Sequence, residues 1–171
     1  MDRAQPEAFA ASIPDTVKYY LGRTRRLLDR LARLPEPERL LAIRLAPDMF
    51  DTAFQFAVAI RFAGRALGPP AGLNVPDVPD DLPLSVLLSY CEDIAELIDP
   101  LGLDDMAAKV THRAGEADLE QDVAGYVTCF ALPNMMFHLS MAYAGLRHGG
   151  MEIGKADFDG FHIYRPLRAV P

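Results

Sequence analysis

Two polar side chains stand one helical turn apart in the most apolar part of the sequence. Asn134 and His138 lie in the stretch 126–146, which contains no Asp, Glu, Lys or Arg. A separation of four positions puts both side chains on one face of a helix, so they can reach a common object. Amides donate and accept hydrogen bonds, and imidazole can also bind a metal ion or move a proton. This face is therefore the first candidate for a functional site.

A second polar group lies upstream, where Asp48, Thr52 and Gln55 share one stripe of a predicted helix. If the two helices face each other, Gln55 meets Asn134 and His138 inside a helical bundle, where ligand sites are commonly built. The alternative is that these polar groups only satisfy one another, because one imidazole and two amides are a poor ligand set for a transition metal. The candidate pocket comprises Gln55, Asn134, His138, Asp48 and Thr52.

The remaining histidines are less well placed for chemistry. His148 follows His138 by ten positions, about 15 Å along a helix at 1.5 Å per residue, so the two cannot bind one ion. His112 and His162 could join a site only through the course of loops, and we expect both at the surface.

Composition limits the classes of protein that the chain can be. A chain of 171 residues, 50% hydrophobic and 24% charged, is expected to form one globular domain over 1–171. Its net charge of −7 repels phosphate backbones, so we expect no nucleic-acid partner. Cys91 and Cys129 lack the spacing of a redox or zinc motif, and we expect free, buried thiols. The N-terminus has no apolar secretion signal, which favours a cytoplasmic protein.

The stretch 126–146 has nearly the length of a membrane span, roughly 20 residues. It contains five residues that are unfavourable against lipid: Thr128, Pro133, Asn134, His138 and Ser140. We therefore interpret it as the middle helix of a soluble bundle and expect no membrane partner.

Apolar residues that recur every three or four positions predict four principal helices. These cover 15–33, about 48–68, 84–98 and, after an interruption near Pro133, the stretch that ends at Gly149. The connection 68–83 contains five prolines and, if extended at about 3.1 Å per residue, spans roughly 45 Å. No run of alternating residues predicts a strand. The expected fold class is all-α, a four-helix bundle with a long crossover between helices two and three.

Two further patterns are interpreted as structural. A basic strip on the first predicted helix is expected to be a solvated face; it comprises Arg23, Arg25, Arg26, Arg30 and Arg33. After the last long helix, Lys155 and Asp157 are expected to be turn residues beside Phe158, which packs.

A series of short motifs runs in order along nearly the whole chain. They are RLAPDMF at 44–50, Gln55, LPN at 132–134, FH at 137–138, AY at 142–143, LRH at 146–148, IGK at 153–155 and DF at 157–158. Together they resemble a bacterial domain-of-unknown-function family related to the DinB- and YfiT-like candidate metalloenzymes. The resemblance implies a DinB-like four-helix bundle with a crossover between the second and third helices, and a homodimer.

The resemblance also implies where a metal would bind. The best-studied relatives hold a divalent metal with three histidines, an H-x-x-x-H pair on the last helix and one histidine from the second, and some are thiol-dependent transferases. In this chain His138 matches the second member of the pair, Asn134 occupies the first position, and the second helix offers Gln55 or Asp48. We expect either no cofactor, or zinc or nickel with His138 as one ligand.

These observations leave three functions open. The leading hypothesis is a DinB-like protein with a degenerate or absent metal site, whose small internal polar pocket binds a small molecule. The second is an active enzyme that depends on a divalent metal, such as a thiol transferase. The third is a non-catalytic, dimeric interaction protein. The sequence leaves catalysis, and the identity of any ligand, undetermined.

Overall fold

The computed structural model of the protein describes residues 4–162 and is mostly helical. Its helices are α1 (Ala4–Leu31), α2 (Pro37–Leu41), α3 (Thr52–Leu67), α4 (Leu84–Ile98), α5 (Val123–Gly125), α6 (Leu132–His148) and α7 (Lys155–Asp159). A π-helical stretch, Tyr126–Ala131, joins α5 to α6. Two strands, β1 (Lys109–Ala114) and β2 (Ala117–Asp122), form an antiparallel hairpin. The predicted domain over 1–171 extends at both ends beyond the described residues.

Helix α3 is the centre of the molecule. Twelve of its 16 residues are buried, and α1, α4 and α6 all pack against it. Its many alanines allow neighbouring helices to approach closely from several sides. The expectation that the last long helix is the central one is wrong, because α6 is partly exposed and the side chain of Phe137 on it is 55% exposed.

The first turn of α3 is capped by Asp51, whose carboxylate accepts a hydrogen bond from the backbone N–H of Phe54 at 2.9 Å. The backbone of Asp51 is extended (φ −73°, ψ 168°), as is usual for a residue that caps a helix with its side chain. The predicted start near Asp48 is therefore too early. Asp48 lies in the preceding loop, where it is exposed.

The connection 68–83 packs along the helices that it joins. It begins with a single 3₁₀ turn that ends at Gly72, where φ is 74°. Gly64 of α3 faces both Val75 of the connection and Ile94 of α4, with no room for a side chain. The hydroxyl of Tyr90 donates a hydrogen bond to the Pro76 carbonyl at 3.0 Å. The C-terminal halves of α3 and α4 therefore lie side by side under the connection.

The hairpin corrects the all-α expectation. Its pairing runs from Lys109 opposite Asp122 to Ala114 opposite Ala117, which leaves a two-residue turn. Gly115 is the first residue of that turn and has a φ of 60°, a conformation that favours glycine. No alternating pattern was evident in the sequence because β2 is exposed along most of its length.

The helix that contains Pro133 does not break there. The residues that join α5, the π-helical stretch and α6, Tyr126 and Leu132, both have right-handed helical dihedral angles. A π-helix bonds residue i to i+5. This change of hydrogen-bond register ends two residues before Pro133, which has no N–H to donate. The predicted interruption is thus a change of helix type. None of the helices within residues 4–162 has the length and apolar character needed to cross a membrane.

The C-terminal segment is tied to α1 by two arginines of the basic strip. Arg23 donates to the backbone carbonyls of Ala156 at 2.8 Å and Asp157 at 2.6 Å. Arg30 forms an ion pair with the Asp157 carboxylate. Phe158 packs against the hydrophobic core, as expected. The interpretation of the strip as a solvated face is therefore wrong for Arg23, which is half-buried against α7, whereas Arg30 is exposed and still pairs with α7.

Candidate functional site

Gln55 of α3 and His138 of α6 are in direct contact. His138 Nδ1 lies 2.7 Å from Gln55 Oε1; Gln55 is buried and His138 is half-buried. An amide oxygen only accepts hydrogen bonds, so Nδ1 carries a proton and donates it. The Gln55 Nε2 group makes a longer bond, 3.5 Å, to the carbonyl of Phe50. We refer to these two side chains as the Gln55–His138 pair.

Burial determines the charge of the imidazole. Removal from water disfavours the charged form and lowers the pKa of His138 below its ordinary value of 6.5. The ring is therefore neutral at pH 7, with Nδ1 protonated and the lone pair on Nε2. Among the described residues, Nε2 has no hydrogen-bond partner. It can accept a hydrogen bond from a ligand.

Aromatic rings surround the pair. The ring of Phe62 stacks on the His138 imidazole with centroids 6.2 Å apart, and Phe137 meets it edge-on at 5.2 Å. The side chains of Phe50 and Phe137 are 56% and 55% exposed. In place of the expected internal pocket, the pair therefore lies at a half-open aromatic surface, which can contact a flat or apolar molecule.

Three of the predicted site residues do not join the pair. Asn134 Nδ2 donates to the Phe130 carbonyl of its own helix at 2.8 Å. Thr52 is buried, and its hydroxyl donates to the Ile43 carbonyl at 3.0 Å. Asp48 is exposed in the loop before α3. The predicted group of five is thus reduced to two residues in contact.

The donor set at the pair does not fit a zinc or nickel ion. It offers one imidazole nitrogen and one amide oxygen, and the amide oxygen already accepts a hydrogen bond from that imidazole. Zinc usually takes three or four nitrogen, sulfur or carboxylate ligands from the protein. Within residues 4–162, no three His, Cys, Asp or Glu side chains are grouped so that they could hold an ion. Metal binding through His138 stays a prediction.

His112, which we expected at the surface, is only 7% exposed. It lies on β1 and packs against the rings of Tyr126 and Phe130, with centroid distances of 4.6 and 4.4 Å. Its Nε2 atom is 2.6 Å from Gln121 Oε1 on β2. Val110 and His112 are the buried residues of β1 and alternate with exposed neighbours, a pattern too short to predict this burial from the sequence. His162 instead contacts Asp159, close to the end of the described chain.

The two cysteines differ in accessibility. Cys91 is buried in α4, and burial raises the pKa of its thiol to about 12, which makes it unreactive. Cys129 is exposed on the π-helical stretch. The expectation that both thiols are buried is therefore wrong for Cys129.

Comparison with known proteins gives a family and a fold. The sequence profile of a family described as domain of unknown function (DUF1993) matches residues 9–159. The crystal structure of a DinB family member protein from Shewanella denitrificans superposes with a TM-score of 0.76 at 21% sequence identity, covering 96% of this chain and 99% of that one. No curated protein matches the chain. The predicted resemblance to a family of unknown function related to DinB-like proteins is confirmed.

Proposed function

This chain belongs to the DUF1993 family of domains of unknown function, and from that premise we propose that it is a DinB-like protein that binds a small molecule at the Gln55–His138 pair. The observation that carries the proposal is the 2.7 Å hydrogen bond between the two side chains. It joins two helices and leaves His138 Nε2 available as an acceptor. The ligand therefore presents a hydrogen-bond donor to Nε2.

The surroundings of the pair indicate the rest of the ligand. Phe62 and Phe137 flank the imidazole. Phe50 is bonded to Gln55 through its backbone carbonyl, and its exposed ring stacks on Phe54. Aromatic rings in such positions favour a planar or apolar group. A neutral, flat molecule with one N–H or O–H donor fits these contacts.

The proposed architecture is a single DinB-type bundle of four helices that spans the chain. Helices α1, α3, α4 and α6 are its members, and the connection 68–83 is its crossover. The contact of Gly64 with Ile94 supports the crossover, because it brings the second halves of α3 and α4 together. The free cysteines support a cytoplasmic location.

A homodimer is part of the same proposal. Phe50 and Phe137 are more than half exposed, and both adjoin the Gln55–His138 pair through Gln55 and His138 respectively. Exposed aromatic side chains are typical of contact surfaces between proteins. A second copy of the chain would cover them and enclose the ligand. The same surface would serve the alternative function, a non-catalytic interaction protein.

The alternative of a metal-dependent thiol transferase has a direct test. Protein purified without an affinity tag is analysed for zinc and nickel, together with a His138→Ala variant. We expect wild-type protein to contain less than one equivalent of either metal. If the wild type contains one equivalent of a metal ion and His138→Ala loses it, the result supports metal-dependent chemistry and contradicts small-molecule binding as the proposed function.

Binding at the pair is tested by a thermal-shift screen of small molecules against the wild type. A true ligand raises the melting temperature in a concentration-dependent manner. The effect disappears in Gln55→Leu and His138→Phe, each compared with its own ligand-free melting temperature. Asn134→Ala is the matched control, because Asn134 bonds only within its own helix. A ligand whose effect survives in both pair variants binds elsewhere and contradicts the proposal.

A further inference from the structure

A second candidate site lies toward the C-terminal end of α3, between this helix, the connection that follows it and the hairpin. The cleft has a volume of about 640 Å³, within the range of small-molecule sites, roughly 300–1,000 Å³. Its polar lining comprises Arg61, Arg65, Asn74, Thr111, His112 and Arg113. We call it the arginine cleft. It shares no residue with the Gln55–His138 pair.

Positive charge is concentrated in the arginine cleft. Three arginines and no carboxylate line it, in a chain whose net charge is −7. Arg61 forms an ion pair with Asp77, and the nearest carboxylate to Arg113 is that of Asp118 at 4.0 Å. The side chains of Asp77 and Asp118 are 86% and 80% exposed, so water screens both pairs strongly. When the charged groups that line a cleft all have the same sign, their electric field attracts a ligand of the opposite charge.

Two residues that line the cleft each have one buried polar atom without a protein partner. Arg61 Nε and His112 Nδ1 are the buried side-chain nitrogen or oxygen atoms that lack a hydrogen bond in the described part of the chain, and both residues line this one cavity. Buried polar groups are almost always hydrogen-bonded. Their occurrence together marks the neighbourhood of this cavity as the place where polar groups of the described chain are least well satisfied.

Several contacts hold the walls of the arginine cleft, α3 and the hairpin, in place. Arg65 Nη2 donates to the Arg113 carbonyl at 2.9 Å and so ties the hairpin to α3. The Arg65 guanidinium also lies over the ring of Phe130, 5.2 Å from its centre. Tyr126 donates to the Arg65 carbonyl at 2.8 Å. Tyr126 and Phe130 both belong to the π-helical stretch, a type of local structure that often occurs at functional sites.

We propose that the arginine cleft binds the oxyanion group, carboxylate or phosphate, of a small molecule. The planar guanidinium groups of Arg61 and Arg113 match the geometry of either group. Leu73 and Val75 provide an apolar wall for the body of the ligand. The negative net charge of the whole chain favours a small anion over a long polyanion.

The proposal is tested with two probes, inorganic phosphate and malonate, each titrated by calorimetry at an ionic strength held constant with chloride. We expect saturable binding of one equivalent of at least one probe. Loss of a charged hydrogen bond in Arg61→Gln or Arg113→Gln weakens that binding roughly tenfold or more. Arg33→Gln is the matched control, because Arg33 is exposed in the turn that follows α1. It makes the same change in net charge outside the cleft, and it retains the wild-type affinity.

The outcomes are distinguishable. Binding of phosphate alone indicates a phosphorylated ligand, binding of malonate alone indicates a carboxylate, and binding of both supports the shared oxyanion chemistry. Absence of saturable binding of either probe, or an equal loss in Arg33→Gln, overturns the proposal. The Arg113 side chain is 70% exposed, so Arg113→Gln is expected to fold, which circular dichroism checks. Gln55→Leu leaves probe binding unchanged, which separates this site from the Gln55–His138 pair.

Discussion

The imidazole of His138 is held in one protonation state and one tautomer by its surroundings. Burial keeps the ring neutral, and the bond to Gln55 Oε1 fixes the proton on Nδ1. A neutral histidine with an exposed lone pair accepts hydrogen bonds and can take up a proton. Among the described residues, the hydrogen bond of this imidazole is to an amide and not to a carboxylate. Binding of a ligand with a neutral hydrogen-bond donor is therefore the most direct chemistry for the ring.

The lowered pKa of His138 predicts a pH dependence of stability. The unfolded chain has the ordinary value near 6.5 and the folded chain a lower one. Above pH 6.5 both states are neutral, and the contribution of the buried ring is fully present. As the pH falls through the unfolded and then the folded pKa, the unfolded state gains its proton first, and the contribution is lost.

We therefore expect the free energy of unfolding to fall between pH 7.5 and 5 more steeply for the wild type than for His138→Gln. Urea unfolding at several pH values measures this difference. The other titrating groups are common to both proteins and cancel in the comparison. Parallel pH profiles would mean that His138 titrates in the folded state as it does in the unfolded chain.

At the scale of secondary-structure elements, the site depends on how closely α6 approaches α3. Gly145 of α6 packs directly on Thr52 in the first turn of α3, where an added Cβ would collide with the Thr52 hydroxyl. Thr52 is itself fixed by its bond to the Ile43 carbonyl. This contact sets the spacing that places His138 within hydrogen-bonding distance of Gln55.

We expect Gly145→Ala to destabilise the protein by about 1–3 kcal/mol, because overpacking forces two helices apart. Gly22→Ala is the control. Gly22 lies on α1 with nothing within 4 Å of an added Cβ, so the change should be neutral or stabilise by about 0.5–1 kcal/mol. Chemical unfolding measures both. Equal effects of the two substitutions would show that Thr52 can move away from an added Cβ without lowering the free energy of unfolding.

Some elements could be predicted from the sequence with accurate bounds, and others could not. Helix α4 was predicted over 84–98 and is observed at Leu84–Ile98, because Pro83 and Asp99-Pro100 bracket a strong apolar period. The hairpin was missed because its outer strand buries almost nothing. Its only strong local signal is Gly115, which supplies the left-handed turn residue.

The candidate site could also be predicted only in part from the sequence. Helical spacing places Asn134 and His138 on one face, but spacing does not determine which partner a side chain chooses. Asn134 bonds back to Phe130 in the π-helical stretch, and no local pattern in the sequence indicated that this stretch would form. The arginine cleft joins residues from α3, the connection and the hairpin, so it depends on tertiary contacts that periodicity cannot supply.

At the scale of the whole molecule, the exposed aromatic rings beside the Gln55–His138 pair lead us to expect a homodimer. Removing one large apolar side chain from a contact of this kind weakens association by roughly tenfold or more, since its burial contributes about 1.5–3 kcal/mol. Phe137→Ser is the informative variant, because Phe137 is 55% exposed and adjoins His138.

Sedimentation equilibrium measures the effect. We expect a wild-type dimer that Phe137→Ser shifts toward the monomer. Phe161→Ser is the control, because Phe161 is 72% exposed and stacks on Tyr19, away from this surface. A wild type that stays monomeric, or equal effects of the two variants, would leave the aromatic surface without a role in assembly.

The state of the His138 ring is the most direct test of the proposed site, and NMR of the imidazole nitrogens at pH 7.5 measures it without knowledge of the ligand. The His138→Gln spectrum assigns the signals. We expect a neutral ring with Nδ1 protonated and Nε2 bare, and a shift toward the opposite tautomer in Gln55→Leu, where the acceptor is lost. A ring protonated on Nε2 in the wild type, or a pKa at or above 6.5, would contradict a pair that offers a free lone pair to a ligand.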